Sequence, residues 1–236
     1  MSELTIFNYT TLILDLGTIV MLIGLLMVTN VLRQRGRADD KLFFYMVIIA
    51  MVIAGSDIVG YLADGKSFFG APFVQQAGMQ VFYLTFTLEA MVWTYYADVR
   101  FKGWHMNYSI LRKVIFYIPG FILLTTIFIN SFNGCIFYVS EENVYYRGPL
   151  FIPMYVVIVF YFIWGFATMT RYRNAGTGRS LIPLWIYFMP IILGVVVTFI
   201  LGSTSLAPVG IAVSIMFTHL GSMNEITDTE YEEGEV

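Results

Sequence analysis

The sequence predicts an all-α integral membrane protein, a bundle of seven transmembrane helices with the N-terminus outside and the C-terminus in the cytoplasm. Of its 236 residues, 58% are hydrophobic and only 12% are charged, whereas soluble domains have about 45–50% and about 25%. Long apolar segments recur along the chain, and the basic residues concentrate in alternate connections between them. We therefore expect a multi-pass protein of the cell membrane whose first partner is the lipid bilayer.

Seven segments are long enough to cross a bilayer. A hydrocarbon core of about 30 Å needs about 20 helical residues. The predicted spans are 11–31, 42–62, 72–97, 114–132, 150–170, 181–201 and 205–223. Continuous apolar runs favour helices over barrel strands, in which polar and apolar residues alternate. The spans form one transmembrane domain over residues 1–223, and the first is expected to be permanent because no base precedes it.

The basic residues predict the orientation, because cytoplasmic loops carry an excess of Lys and Arg. Only Lys66 and Arg147 fall on the predicted outer side. All the other bases lie in the first, third and fifth connections or at the ends of the flanking spans: Arg33, Arg35, Arg37, Lys41, Arg100, Lys102, Arg112, Lys113, Arg171, Arg173 and Arg179. The alternation independently favours seven spans over six or eight.

Two segments outside the spans have their own patterns. Residues 131–149 form the longest outer connection and are predicted to be a hairpin, with strands at 135–139 and 144–146 around a turn at 140–143. This hairpin either shields helix ends or acts as a lid over a ligand. Residues 224–236 carry acidic side chains and no base, which predicts a disordered cytoplasmic tail.

Polar side chains in the spans are the candidate functional residues. Ionisable groups within membrane helices cost about 2.5–3.5 kcal/mol on insertion scales, so they usually face the bundle interior. The helical rise places polar residues of the first three spans at matching depths near the outer surface, with a loop arginine above them. The predicted ligand-binding set is Asp15, Asp57, Tyr61, Gln76, Gln80, Tyr83 and Arg147. An interhelical hydrogen-bond network, at about 0.6 kcal/mol per contact, explains the same residues equally well.

A second polar layer is predicted deeper in the bundle. Glu89 in the third span and His219 in the seventh lie at similar depths. Together they would form a titratable pair suited to a proton relay or a switch. A static hydrogen bond, or a His219 that reaches the cytoplasmic surface, is the favoured alternative. Pro190 is expected to kink the sixth helix and is a candidate pivot.

Several classes of function lack their motifs. No lysine lies in the last span, which excludes a retinal Schiff base, and the chain has neither His-Glu-x-x-His nor Gly-x-Gly-x-x-Gly. Both histidines are predicted on the cytoplasmic side, away from Cys135. We therefore expect no enzyme, no cofactor and no metal site. The single cysteine excludes an intrachain disulfide, and the lack of a basic face argues against a nucleic-acid partner.

The hairpin region resembles a known family. Phe137-Tyr138-Val139, then Tyr145-Tyr146-Arg147-Gly148-Pro149-Leu150 and an aromatic fifth span, are similar to the seven-helix N-terminal sensor region of bacterial, mainly Firmicutes, signalling proteins. There the region precedes GGDEF diguanylate cyclase or related output domains. Ile182-Pro183 at the start of the sixth span fits as well. The resemblance covers nearly the whole chain and implies signal reception without catalysis.

This sequence departs from that family because no Gly-Gly-Asp-Glu-Phe follows the last span. It is then a stand-alone or truncated sensor, or it acts through a cytoplasmic signalling partner. The leading hypothesis is a sensor that binds an unknown small-molecule cue in the outer polar residues and transmits it by helix repacking. The alternatives are a small solute or ion transporter that uses Asp57 and Glu89 as coupling groups, and a membrane scaffold without a ligand.

Overall fold

A computed structural model describes residues 3–33, 38–102, 110–173, 185–201 and 206–234. Within these ranges the chain folds into seven α-helices and one short hairpin. The helices are α1 (Glu3–Arg33), α2 (Ala38–Ala63), α3 (Ala71–Lys102), α4 (Ile110–Asn133), α5 (Phe151–Arg173), α6 (Trp185–Leu201) and α7 (Ala207–Gly234). The prediction of a helical protein is confirmed, and each predicted span coincides with one of these helices over most of its length.

Among the described residues, four helices are long and apolar enough to cross a membrane. Their apolar segments are Tyr9–Asn30 in α1, Asp40–Ala63 in α2, Lys113–Asn133 in α4 and Phe151–Thr168 in α5. Helices α6 and α7 contain the shorter apolar segments Phe188–Thr198 and Ala207–Leu220. These features are those of a membrane protein.

Helix α3 has 32 residues but is more polar than the four spans. It packs against α2, α4 and α5, and Trp93 contacts Phe188 of α6 with ring centroids 4.7 Å apart. A helix surrounded by other helices faces protein rather than lipid, so it tolerates polar side chains that a lipid-facing helix would not. Its central position explains the polar residues in the third predicted span.

The last two helices differ from the predicted spans at their ends. Residues 181–184, the predicted start of the sixth span, lie outside the described residues. Helix α7 runs to Gly234, through most of the acidic segment that we predicted to be disordered. Extending an existing helix avoids the cost of nucleation, and glutamate is a good helix former, so the helix can continue past the apolar segment.

Helix α1 is attached through one narrow stripe. Its buried side chains recur every three or four residues, at Thr11, Asp15, Thr18, Leu22, Leu25 and Thr29. This spacing is the one that places side chains on a single face of a helix. The stripe faces α2 and α7, the helices that α1 contacts, and it brings Asp15 into the interior.

Helices α6 and α7 approach each other closely beside Pro190. A Cβ atom added to Gly210 would lie 2.4 Å from the carbonyl oxygen of Pro190, so this crossing requires glycine. Small residues at helix crossings let backbones pack in van der Waals contact. Pro190 lies inside α6, at this contact with α7, and its role as a pivot stays a prediction.

The predicted hairpin is confirmed. Strands β1 (Phe137–Val139) and β2 (Tyr145–Arg147) pair antiparallel, with Phe137 opposite Arg147 and Val139 opposite Tyr145. Beyond the strands, the amide of Gly148 donates to the carbonyl of Ile136 (2.7 Å) and the amide of Leu150 to that of Cys135 (2.8 Å). These bonds continue the hairpin into the start of α5.

Gly148→Ala is expected to destabilise the protein by about 1–3 kcal/mol, because the new methyl group overpacks this junction. The added Cβ would lie 2.4 Å from the carbonyl oxygen of Cys135 and 2.6 Å from that of Gly134. Thermal unfolding in detergent would measure the loss. Gly24→Ala is the control, because an added Cβ there meets no atom within 4 Å; equal effects of both variants would contradict a tight junction.

Candidate functional site

The base of the hairpin is fixed by one buried side chain of α4. Asn130 accepts hydrogen bonds from the amides of Ile136 (2.6 Å) and Phe137 (3.2 Å), and it donates to the carbonyl of Phe137 (2.9 Å). The amide of asparagine suits this role because it is both donor and acceptor. Asn130 is not among the candidate residues predicted from the sequence.

The tip of the hairpin is fixed to the connection between α2 and α3. The buried Asn143 has a left-handed backbone, with φ of 59°, which asparagine adopts more readily than most residues. Its side-chain amide donates hydrogen bonds to the backbone carbonyls of Ala63 and Lys66 (3.1 Å for Lys66). The backbone carbonyl of Asn143 accepts a hydrogen bond from the amide of Gly65 (2.8 Å). The hairpin therefore lies across one end of the bundle, with its base bonded to α4 and its tip bonded to the connection between α2 and α3.

The inner face of the hairpin enters the bundle. Phe137 is fully buried, with its ring 5.3 Å from that of Tyr83 on α3. The hydroxyl groups of Tyr83 and Tyr145 lie 2.7 Å apart and share a hydrogen bond. On the outer face, Tyr138 and Tyr146 stack at 5.3 Å and stay exposed. The hairpin thus joins α3 through one hydroxyl pair within an aromatic contact.

A charged residue of the hairpin lies beside this contact. The guanidinium of Arg147 is 4.8 Å from the centre of the Phe151 ring, a cation–π contact. Arg147 also interacts electrostatically with Tyr145 and Tyr155. Tyr155 of α5 is almost fully buried and, like Asn130, is not among the candidate residues predicted from the sequence.

Asp57 connects these tyrosines to α1. It interacts electrostatically with Tyr83, Tyr145 and Tyr155. Its carboxyl group also lies close enough to that of Asp15 to interact with it, and the two residues are 2% and 0% exposed. We call this set the polar layer: Asp15, Asp57, Tyr83, Tyr145, Tyr155 and Arg147.

The structure therefore brings together Asp15, Asp57, Tyr83 and Arg147 from the predicted ligand-binding set. Gln80 turns toward α4, where its amide donates to the carbonyl of Ile127. Gln76 and Tyr61 are half-buried. The neighbouring Gln75 is the more buried glutamine, and it donates to the carboxylate of Asp64 (2.6 Å).

The predicted pair of Glu89 and His219 does not form. His219 stacks on Phe43, with ring centroids 5.7 Å apart, and Phe43 contacts Tyr96, which lies about two turns beyond Glu89 on α3. Glu89 is only 2% exposed, and none of the described residues donates a hydrogen bond to either of its carboxyl oxygens. The deeper layer consists of two separate groups.

Tyr145 is expected to ionise only at strongly alkaline pH. Burial raises its pKa from 10.0 to about 12, although the hydrogen bond with Tyr83 and the charge of Arg147 act in the opposite direction. A raised pKa in the folded state means that the tyrosine contributes stability below about pH 10 and loses it as the pH rises to about 12.

An NMR titration of isotope-labelled tyrosine checks this value. We expect one resonance that titrates near pH 12 in the wild type and is absent from Tyr145→Phe. Tyr146→Phe is the matched control because Tyr146 is exposed on the outer face of the hairpin. A resonance of Tyr145 that titrates together with the exposed tyrosines would contradict its docking against Tyr83.

The arrangement places two carboxyl groups in the contact between α1 and α2, and it connects Asp57 with the tyrosines of α3, the hairpin and α5. Comparisons of this chain with protein-family models, with curated proteins and with solved structures found no match.

Proposed function

We propose that this chain is a seven-span membrane sensor whose receiving site is the polar layer under the hairpin. The observation that carries the proposal is the hydroxyl pair of Tyr83 and Tyr145 (2.7 Å) beside the buried Asp57. A cue that changes the charge or packing at Asp57 would alter the contacts of both the hairpin and the central helix α3.

The position of α3 favours transmission. It packs against α2, α4 and α5, so a displacement at Tyr83 reaches three neighbouring helices. Because the hairpin is held by Asn130 and Asn143, it acts as a fixed cap. Repacking of the helices, rather than opening of the cap, is the route by which we expect the signal to travel.

The orientation in this proposal places the hairpin outside the cell. Helices α2 and α4 end at the hairpin, and α3 and α5 begin there. Lys41 of α2 and Lys113 of α4 lie at the opposite ends of these helices, which the distribution of Lys and Arg assigns to the cytoplasm. Helix α7 continues past its apolar segment to Gly234, so a cytoplasmic partner would meet this end of the chain.

A label on α7 tests whether the polar layer controls the opposite end. In a Cys135→Ser background, a fluorophore is attached through Glu230→Cys, and the reconstituted protein is screened against metabolites, lipids, salts and pH. A sensor is expected to give at least one condition that changes the fluorescence, and Asp57→Asn is expected to abolish that response. A cue must bind the two states of the bundle with different affinities to have this effect.

Asp40→Asn is the matched control, an identical change at the opposite end of α2. It should keep the response. Stabilisation of the protein without any change of the label would contradict a sensor and favour a carrier. Neither stabilisation nor a change of the label under any condition would favour the scaffold.

A proton-coupled carrier is the second candidate, and the buried carboxyl group of Glu89 is the observation that favours it. Carboxyl groups inside membrane helices commonly take part in proton relays. Uptake into proteoliposomes driven by a proton gradient, lost in Glu89→Gln and kept in Glu141→Gln at the exposed hairpin turn, would support this function.

A further inference from the structure

The contact between α1 and α2 contains two carboxyl groups that face each other. Asp15 belongs to the buried stripe of α1, and Asp57 lies about two turns before the end of α2 at the hairpin. Both groups are buried, neither oxygen of Asp15 accepts a hydrogen bond from a described donor, and the two carboxyl groups lie close enough to interact. We propose that Asp15 and Asp57 form a proton-binding site that holds α1 against α2, and that the proton is a cue for the sensor.

Two ionised carboxylates are not stable in this position. Two negative charges in contact repel each other strongly even where the effective dielectric constant is well above that of a dry protein interior. Burial adds a desolvation cost for each charge. A single shared proton replaces this repulsion with a hydrogen bond from one carboxyl group to the other, as in other carboxyl pairs.

No base among the described residues compensates Asp15. Burial and Asp57 are the influences that act on it. On α1, the buried neighbours of Asp15 in the stripe are the hydroxyl-bearing Thr11 and Thr18. On α2, Tyr61 lies one turn from Asp57. The 207–218 segment of α7 contains no titratable residue.

The groups beyond Asp57 are the three tyrosines of the polar layer, and Arg147 acts on two of these tyrosines. The described residues also contain no group of three or more acidic, histidine or cysteine side chains that could hold a metal ion. A monovalent charge, the proton, suits the pair.

The proton site coincides with a weak attachment. Four of the six buried side chains in the α1 stripe are polar, so apolar burial contributes little to holding this helix. Loss of the shared proton at high pH leaves two charges in contact, and separation of α1 from α2 at the hairpin end relieves their repulsion. Raising the pH should therefore open this contact, and lowering it should restore the contact.

This inference deepens the proposed function, and its test reports on the site itself rather than on α7. Spin labels are placed at Ile13→Cys and Val59→Cys, two exposed apolar positions on α1 and α2, in a Cys135→Ser background reconstituted in lipid. We expect the distance between the labels to increase reversibly from neutral to alkaline pH. Asp15→Asn and Asp57→Asn should remove this dependence, whereas Asp40→Asn should keep it.

Infrared spectroscopy supplies the second measurement. In a Glu89→Gln background, the carbonyl band of a protonated carboxyl group should be present at neutral pH and should disappear when Asp15→Asn and Asp57→Asn are combined, because either group alone remains buried. Titration with sodium at fixed pH tests the rival ligand. A label distance that follows sodium, or that does not depend on pH, would overturn the proposal, as would the absence of the band. A pH-dependent distance without any response of the α7 label would leave the proton site standing and refute the sensor.

Discussion

Asn130→Ala is expected to detach the hairpin from the bundle and to lower the free energy of unfolding by about 3–5 kcal/mol. The variant removes three hydrogen bonds between the buried Asn130 side chain and the backbone of Ile136 and Phe137. Each buried backbone group left without a partner costs about 1–3 kcal/mol. Thermal unfolding in detergent measures the loss, and hydrogen exchange at Ile136 and Phe137 shows where it arises.

Asn133→Ala, one turn further along α4, is the matched control. Asn133 is exposed and accepts a single bond from the amide of Cys135 (3.1 Å), so its loss should cost less than about 1 kcal/mol. If hydrogen exchange at Ile136 is unchanged in Asn130→Ala, the hairpin stays docked without this side chain. The proposal that Asn130 holds the hairpin as a fixed cap would then be wrong.

The helices and the hairpin could be predicted because their signals are local. Apolar runs of about 20 residues indicate helices that face lipid, and the 137–147 segment has alternating strands around a polar turn. Helix α3 was predicted in spite of its polar residues, whose tolerance depends on its central position. That position is a property of the whole bundle, and no window of sequence contains it.

The polar layer was only partly predictable. Depth along the helices correctly suggested that Asp15, Asp57 and Tyr83 lie near one another, because the helical rise fixes height. Tyr145 and Tyr155 were missed because their positions depend on how the hairpin docks. Strand alternation offered a signal for Tyr145, since Tyr146 beside it must face the opposite way.

The glutamines of α3 show that depth along a helix does not determine the direction in which a side chain points around the helix axis. Gln75 and Gln76 differ by one residue, which is about 100° around a helix. The predicted stripe included Gln76, whereas the structure buries Gln75. The predicted pair of Glu89 and His219 was wrong for the same reason. Matching depth fixes the height of each residue along its helix, but it does not fix which neighbour the side chain faces.

The buried acids of the polar layer differ from Glu89 in their surroundings. In the layer, Asp15 lies within reach of Asp57, so protonation of one group satisfies both. Glu89 has no such neighbour among the described residues. Since polar groups without hydrogen-bond partners are destabilising in apolar surroundings, the stability of variants at this position tests whether Glu89 is retained for packing or for function.

Glu89→Met is expected to raise the free energy of unfolding by about 2–3 kcal/mol, because an apolar side chain of similar length replaces a buried carboxyl group without a hydrogen-bond partner. Glu89→Gln keeps the shape and leaves a buried polar group, so it should gain much less. Thermal unfolding of the two variants beside the wild type measures the difference. A gain in Glu89→Met together with lost signalling or transport would show that the carboxyl group costs stability and serves function. A loss of stability in both variants would instead show that Glu89 holds the bundle together.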